Sequence, residues 1–274
     1  MTFNIDVELR SLDDFHRLKA DAPSILDRAL IAESVGKIAH HGAFDPFAGF
    51  LPPTTLDIRG MNYRETIVAN GARGRDRAVL LALSEIVSER GAGIDVYASE
   101  STTLFSKRLR AIFGGRFVGS EYLPTPEERA KHRKVRHEDV QALSFPNGSF
   151  DLYLSCDVME HVPDIDKTLR EARRILRPDG LLLGTVPFAY ERDRSITRAR
   201  LVDGAVEHLM PPEYHHNPVD PAGGSLVFEI PGWDLMDRCR AAGFRDVAMR
   251  FIASTKYAVH GTDIAGVFLL VARV

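Results

Sequence analysis

The chain has 274 residues, 45% of them hydrophobic and 27% charged, which is ordinary globular composition and enough length for one domain with added segments. Its net charge of −3 gives no electrostatic ground for a nucleic-acid partner, and none is expected. Two cysteines make neither a disulfide framework nor a zinc site, no run approaches the ~20 apolar residues of a membrane span, and no signal-like leader is present, so a cytoplasmic protein without a membrane span is expected.

Met1 to about Ala48 is expected to be helical, since Leu9, Phe15 and Leu18, then Ile25, Leu26, Leu30 and Ile31, keep a rough helical register. His40-His41 has no further ligand at a helpful spacing and reads as surface. Pro52-Pro53-Thr54-Thr55 is a linker signal, which divides the chain into a helical extension, residues 1–54, and a main domain, residues 55–274. Arg73, Arg75 and Arg77 lead into a helix at Ala78 to Ser88. Gly93 to Ser101 holds a short strand and its loop. Leu104 to Phe113 is an amphipathic helix, with Leu104, Phe105, Leu109, Ile112 and Phe113 expected in the core. Arg116 to Tyr122 reads as a second strand with Glu121 at its end, and Val135 to Val140 as a third. Between them, Pro124 to Arg136 mixes charge signs and reads as exposed. Asn147-Gly148 signals a turn.

The most informative stretch runs from Phe150 to Phe188. Leu152 to Ser155 is a short apolar run that suits a buried strand. Asp164 is an N-cap, after which Ile165, Leu169, Ala172, Ile175 and Leu176 fall at helical spacing. Pro178-Asp179-Gly180 ends the helix, and Leu181 to Val186 is a second strand. Such a strand–helix–strand unit makes two parallel neighbours with a right-handed crossover. Ligands of such sheets sit beyond the carboxyl ends of the strands, where this chain carries Ser155, Cys156, Asp157, Glu160 and His161. Beyond Phe188, a segment at about residues 189–230 is polar and broken by prolines, including Glu207 to Asn217 with His208, His215 and His216. It reads as a shaped lid insertion. Trp233 to Phe244 is a helix ended by Gly243, and Val247 to Ile252 and Val267 to Val274 are closing strands.

Phe150-Asp151, Glu160-His161-Val162-Pro163 and Arg177-Pro178-Asp179-Gly180, in that order and spacing, resemble the latter half of a class I S-adenosylmethionine-dependent methyltransferase of the bacterial type 11 kind. The resemblance implies an α/β, Rossmann-like fold: a mostly parallel seven-stranded sheet with helices on both faces. It implies S-adenosylmethionine as cofactor. Asp95 matches the acidic residue that ends the family's first strand. The three glycines of the family's loop would fall at Tyr97, Ser99 and Ser101, so the glycine-rich loop is degenerate here, and Tyr97, Ser99 or Glu100 would meet the cofactor another way. Glu121 would accept hydrogen bonds from the ribose hydroxyls, Tyr122 or Leu123 would flank the adenine, and Asp139 with Val140 would meet its amino group. Cys156, Asp157 and His161 complete the cofactor edge. In a related subgroup a cysteine knuckle precedes the Arg-rich helix start. The cysteines are missing here and no metal is expected, while an arginine of the Arg73–Arg77 stretch either pairs the cofactor's carboxylate or is solvated.

The activity implied is methyl transfer to a small-molecule or sugar/glycan acceptor, most naturally at a hydroxyl. It needs a general base near neutrality, and His161 and His215 are the candidates, with His161 alternatively a structural tie. A binding or regulatory protein that kept the fold and lost turnover is the alternative, supported by the degenerate loop. An enzyme of another class using a different nucleoside on the same fold is a second rival. Oligomeric state and acceptor identity are not encoded in these motifs.

Overall fold

The computed structural model describes residues 2–274. In chain order its main elements begin with β1 (Asn4–Leu9), α1 (Leu12–Asp21), α2 (Arg28–His41) and α3 (Gly74–Arg90). Next come β2 (Val96–Ala98), α4 (Leu104–Phe113), β3 (Phe117–Glu121), β4 (Arg136–His137), β5 (Phe150–Cys156), α5 (Ile165–Ile175) and β6 (Leu176–Thr185). The short strands β7 (Ala199–Val202), β8 (Ala205–His208), β9 (Tyr214–His215) and β10 (Ser225–Leu226) follow, then α6 (Leu235–Ala241), β11 (Asp246–Ser254) and β12 (Val267–Arg273). The described residues form two compact units, 2–92 with 248–269 and 93–247 with 270–274.

In the first unit, β1 is a strand where the N-terminal stretch was expected to be helical. Asn-Ile-Asp-Val-Glu-Leu alternates polar and apolar residues, the two-residue period of a strand, and it pairs antiparallel with β11 from Asn4↔Ser254 to Leu9↔Met249. Reading Leu9 together with Phe15 imposes a helical period across that boundary. The two helices expected nearby do form. Ser11 caps α1 by accepting from Asp14 N–H, and Asp27 caps α2 by accepting from Ala29 and Leu30 N–H. Arg77 on α3 is 0% exposed and donates to the carbonyls of Ile67, Ala72, Tyr257 and Ala258 at 2.8–2.9 Å. Those bonds give its guanidinium a structural role, which is neither of the two expected for this arginine stretch, pairing the cofactor's carboxylate or being solvated. His260 is buried between Ser34 Oγ, 3.0 Å from Nε2, and the Ala265 carbonyl, 2.9 Å from Nδ1. Burial pushes this imidazole down to about 4, with the Arg77 charge acting in the same direction and the Ala265 bond opposing.

In the second unit the strands run in the order β12, β6, β5, β2, β3, β4. β6, β5, β2, β3 and β4 are mutually parallel neighbours, and the Leu270–Arg273 end of β12 pairs antiparallel with β6. The crossovers carry α4, between β2 and β3, and α5, between β5 and β6. Thr103 caps α4 by accepting from Ser106 N–H, and Phe105, Leu109 and Phe113 form its buried stripe, while Leu104, an expected core residue, is 61% exposed at the first turn. Asp164 caps α5, whose buried residues Ile165, Thr168, Leu169, Ala172 and Ile175 follow the helical period. Parallel strands bring their carboxyl ends to one edge, so Ser99, Glu121, Cys156 and Val186 emerge together there. After β6 the chain makes antiparallel pairs, β7 with β8 and β9 with β10. The β7–β8 turn is Asp203-Gly204, both at positive φ, the preferred chemistry of a two-residue hairpin.

Candidate active site at the carboxyl edge of the sheet

The loop after β2 is folded tightly without loop glycines. Ser99 N–H donates to the Leu154 carbonyl at 3.1 Å. Ser101 N–H, Thr102 N–H and the Thr102 hydroxyl all donate to Glu121 Oε1, at 2.8, 2.9 and 2.8 Å. The space is made on the neighbouring strand instead, because a Cβ on Gly119 of β3 would lie 2.5 Å from the Glu100 carbonyl oxygen. Glu100 Oε2 accepts from the Thr103 hydroxyl at 2.5 Å. Glu121 therefore does two jobs by position: Oε1 ties the loop, and the three bonds leave Oε2 for another donor.

Two expected residues lie elsewhere. The Tyr97 side chain points into the core, where its hydroxyl meets Ser120 Oγ at 2.8 Å and its ring packs against Phe145, Phe150 and Tyr153. Burial raises its phenol well above the usual range. A strand's side chains alternate, so Tyr97 faces inward beside Ser120 and not toward the edge. Asp95 precedes β2 and does not end it. It pairs with Arg177 at 2.9 Å and Arg116 at 3.0 Å, and the Arg177 guanidinium holds its carboxyl below the usual range. Arg177 also bonds Asp151 at 2.7 Å, so the arginine of the Arg-Pro-Asp-Gly motif latches the amino ends of β2 and β5.

The other expected residues reach the carboxyl edge or stand beside it. Tyr122 is 58% exposed, its ring 5.8 Å from that of His137. Asp139 Oδ1 accepts from Gln141 N–H at 2.9 Å, and Val140 is buried beside it. Cys156 closes β5, and Asp157 follows in the left-handed region at φ 52, its N–H donating to the Thr185 carbonyl at 2.7 Å.

Next along the chain is the most unusual polar cluster of this unit. Glu160 is 0% exposed, yet neither carboxylate oxygen makes a hydrogen bond. Oε1 stands 3.5 Å from His161 Nε2 and 3.6 Å from His215 Nδ1. The two imidazoles meet edge to face with centroids 5.0 Å apart. Each has another partner: His161 Nδ1 lies 2.9 Å from the Leu226 carbonyl, and His215 Nε2 lies 3.2 Å from Glu213 Oε1. The Glu160 carboxylate raises the His215 pKa, burial opposes, and Glu213 adds to the rise. Backbone bonds bring the distant segment here: Phe228 N–H donates to the Glu160 carbonyl at 2.8 Å, Val227 N–H to the Glu213 carbonyl at 2.9 Å, and β9 pairs His215 with Ser225.

The fold thus brings together His161 and His215, both candidate bases, with Glu160, which the sequence places on the ligand edge without a role, and Glu213 of the lid segment. The available signal for Glu160 was a charged residue placed straight after a buried strand. Nothing local marked Glu213 or the Leu226 carbonyl, because their roles depend on the β9–β10 pairing.

Residues 100–184 match a family model described as a methyltransferase domain. The nocamycin O-methyltransferase of Saccharothrix syringae is 30% identical over 169 residues, 56% of this chain and 59% of that protein. The 2-methyl-6-phytyl-1,4-hydroquinone methyltransferase of Synechocystis is 41% identical over 85 residues, 28% of this chain and 27% of that protein. The chain thus spans less than two thirds of the length of either relative. Among solved structures, a S-adenosylmethionine-dependent methyltransferase from Mesorhizobium loti aligns with 72% of this chain and 98% of its own, at 17% identity and a TM-score of 0.45. Among the described residues no helix is long and apolar enough to cross a membrane.

Proposed function

We propose that this chain, whose residues 100–184 match a methyltransferase domain, is a class I methyltransferase that methylates a hydroxyl of a small-molecule or sugar/glycan acceptor with S-adenosylmethionine. The cofactor supplies an electrophilic sulfonium methyl when bound. Glu121 Oε2 is suited to its ribose hydroxyls, Tyr122 and Asp139 to its adenine, and Ser99, Glu100, Cys156 and Asp157 line the same edge. The free second oxygen of Glu121 supports that fit, because the loop bonds already orient the carboxylate. The remaining work falls to this chain: holding the acceptor oxygen in line and removing its proton.

The observation that carries the reading is the Glu160–His161–His215 cluster just beyond β5, with a buried carboxylate behind two imidazoles. His215 is the first candidate for the proton, His161 the second. The name of the nocamycin relative favours oxygen as the acceptor atom. The second reading, a binding protein without turnover, draws on the β2 loop, whose Ser101 and Thr102 amides are tied to Glu121.

Calorimetric titration with S-adenosylmethionine, followed by a S-adenosylhomocysteine release assay over a panel of hydroxylated acceptors, tests both. Tight cofactor binding with acceptor-dependent turnover is expected, and His215→Ala should spare affinity while lowering turnover ~10²–10⁴-fold. Cofactor binding without turnover on any acceptor would favour the second reading, and absence of cofactor binding would overturn both.

A further inference from the structure

The three groups of this cluster converge in a way that hydrogen bonding does not account for. In a neutral imidazole one nitrogen donates and the other accepts. The Leu226 carbonyl can only accept, so His161 Nδ1 carries the proton and Nε2 presents a lone pair. Donation to the Glu213 carboxylate likewise leaves a lone pair on His215 Nδ1. Both of these nitrogens lie 3.5–3.6 Å from Glu160 Oε1, itself an acceptor, buried and without a hydrogen bond. With both rings neutral, three acceptor atoms therefore gather in one place, all within 4.8 Å of one another.

The separations of 3.5 and 3.6 Å are long for a shared proton. They are close to the ~3.3–3.4 Å between two ligands on a tetrahedral ion with bonds of about 2.0–2.1 Å. The outer partners fit as well. Metal-bound histidines usually donate their other ring N–H to a carboxylate or a backbone carbonyl, which fixes tautomer and orientation. Here one histidine has each kind of partner, Glu213 and Leu226. The geometry points to a divalent transition-metal site of the zinc class formed by Glu160 Oε1, His161 Nε2 and His215 Nδ1.

Two histidines and one carboxylate leave a fourth position open, as in zinc sites that do chemistry and unlike closed structural ones. Metal binding itself is independent of the proposed reaction. The occupant of the open position, an acceptor hydroxyl made more acidic by the ion, rests on that reading. In the loaded protein both imidazoles are ligands, and the ion takes over the activation otherwise assigned to His215.

The test is to strip the purified full chain with dipicolinate, then titrate it with Zn²⁺ by calorimetry and with Co²⁺ by visible absorption. Binding of one ion per chain is expected, with the intense ligand-field bands of a tetrahedral cobalt site. Glu160→Gln and His215→Ala should abolish those bands. Glu213→Gln should weaken affinity about 10–100-fold, and exposed His216→Ala should leave it unchanged. Absence of stoichiometric binding by the unmutated protein, a measurement that needs no variant to fold, would overturn the site. So would bands that persist unchanged in folded His161→Ala and His215→Ala. S-adenosylmethionine binding by a protein that takes no metal would sink the metal site alone, and metal binding without cofactor binding would sink the methyl-transfer reading alone.

Discussion

Arg77 in the first unit and Glu160 in the second are both charged residues with 0% exposure, and the protein treats them in opposite ways. Arg77 donates to four backbone carbonyls, and its neighbour in that unit, His260, has a partner on each ring nitrogen. Glu160 has two imidazole nitrogens at 3.5 and 3.6 Å and no hydrogen bond. A buried charge is tolerable when its bonds are made, and costly otherwise. The first cluster is a finished structural joint. The second keeps an electrostatic debt that a proton, substrate or cation can settle, which is the usual arrangement at a site built for chemistry.

That contrast breaks first at Arg77. Arg77→Met would leave four buried carbonyls without their donor, and the expected loss is ~3–5 kcal/mol of stability, read from urea denaturation. A loss below ~1 kcal/mol would show that water or rearrangement replaces the guanidinium and that the joint is not what holds this region.

His260 sharpens the same side through pH. Its native pKa, about 4, lies below the ordinary value of 6.5, so the folded ring stays neutral while the unfolded ring takes up a proton first. The contribution is therefore complete above about pH 6.5 and is lost as pH falls toward 4, by up to ~3 kcal/mol. Denaturation curves across that window should show the fall, and His260→Gln should flatten this part of it. A wild-type curve with no fall between those values would remove the buried neutral histidine from the account.

Glu121 stands between the two cases, one oxygen spent on the β2 loop and one left over. Glu121→Ala should weaken S-adenosylmethionine binding by ~1–3 kcal/mol, the usual cost of unpairing buried polar groups. Unchanged affinity by calorimetry would take Glu121 out of the cofactor site.

Much of this was legible along the chain. The β5–α5–β6 unit followed from an apolar run, the Asp164 cap and a helical stripe, all local signals. The end of β3 at Glu121 followed from the same logic. β1 was misread because six residues carry too short an alternation to compete with the helical pattern that follows. Asp95 and Tyr97 were misplaced because β2 has only three residues, and a shift at its start changes which residues reach the edge. The Glu160–His215 pairing lay beyond reach for a different reason. It depends on the Phe228–Glu160 backbone bond and the β9–β10 pair, which are tertiary and leave no periodicity.

The smallest expected effect on stability is the most discriminating. Glu160→Gln keeps the shape of the side chain and replaces the carboxylate with a neutral amide that has donors of its own. In metal-free protein those donors meet the lone pairs of His161 Nε2 and His215 Nδ1, the two atoms nearest Oε1. The substitution thus exchanges acceptor-against-acceptor contacts for hydrogen bonds and removes a carboxylate from a buried position. Stability should stay within ~1 kcal/mol of the unmutated protein, or rise, because replacing an unsatisfied buried carboxylate by a hydrogen-bonded amide relieves its desolvation cost. Turnover should nevertheless fall, since the amide can neither share the acceptor's proton nor serve as an anionic ligand. A loss of stability comparable to that of Arg77→Met would mean that Glu160 is as fully integrated as Arg77. The contrast between the two units would then collapse, and the cluster would be one more structural joint.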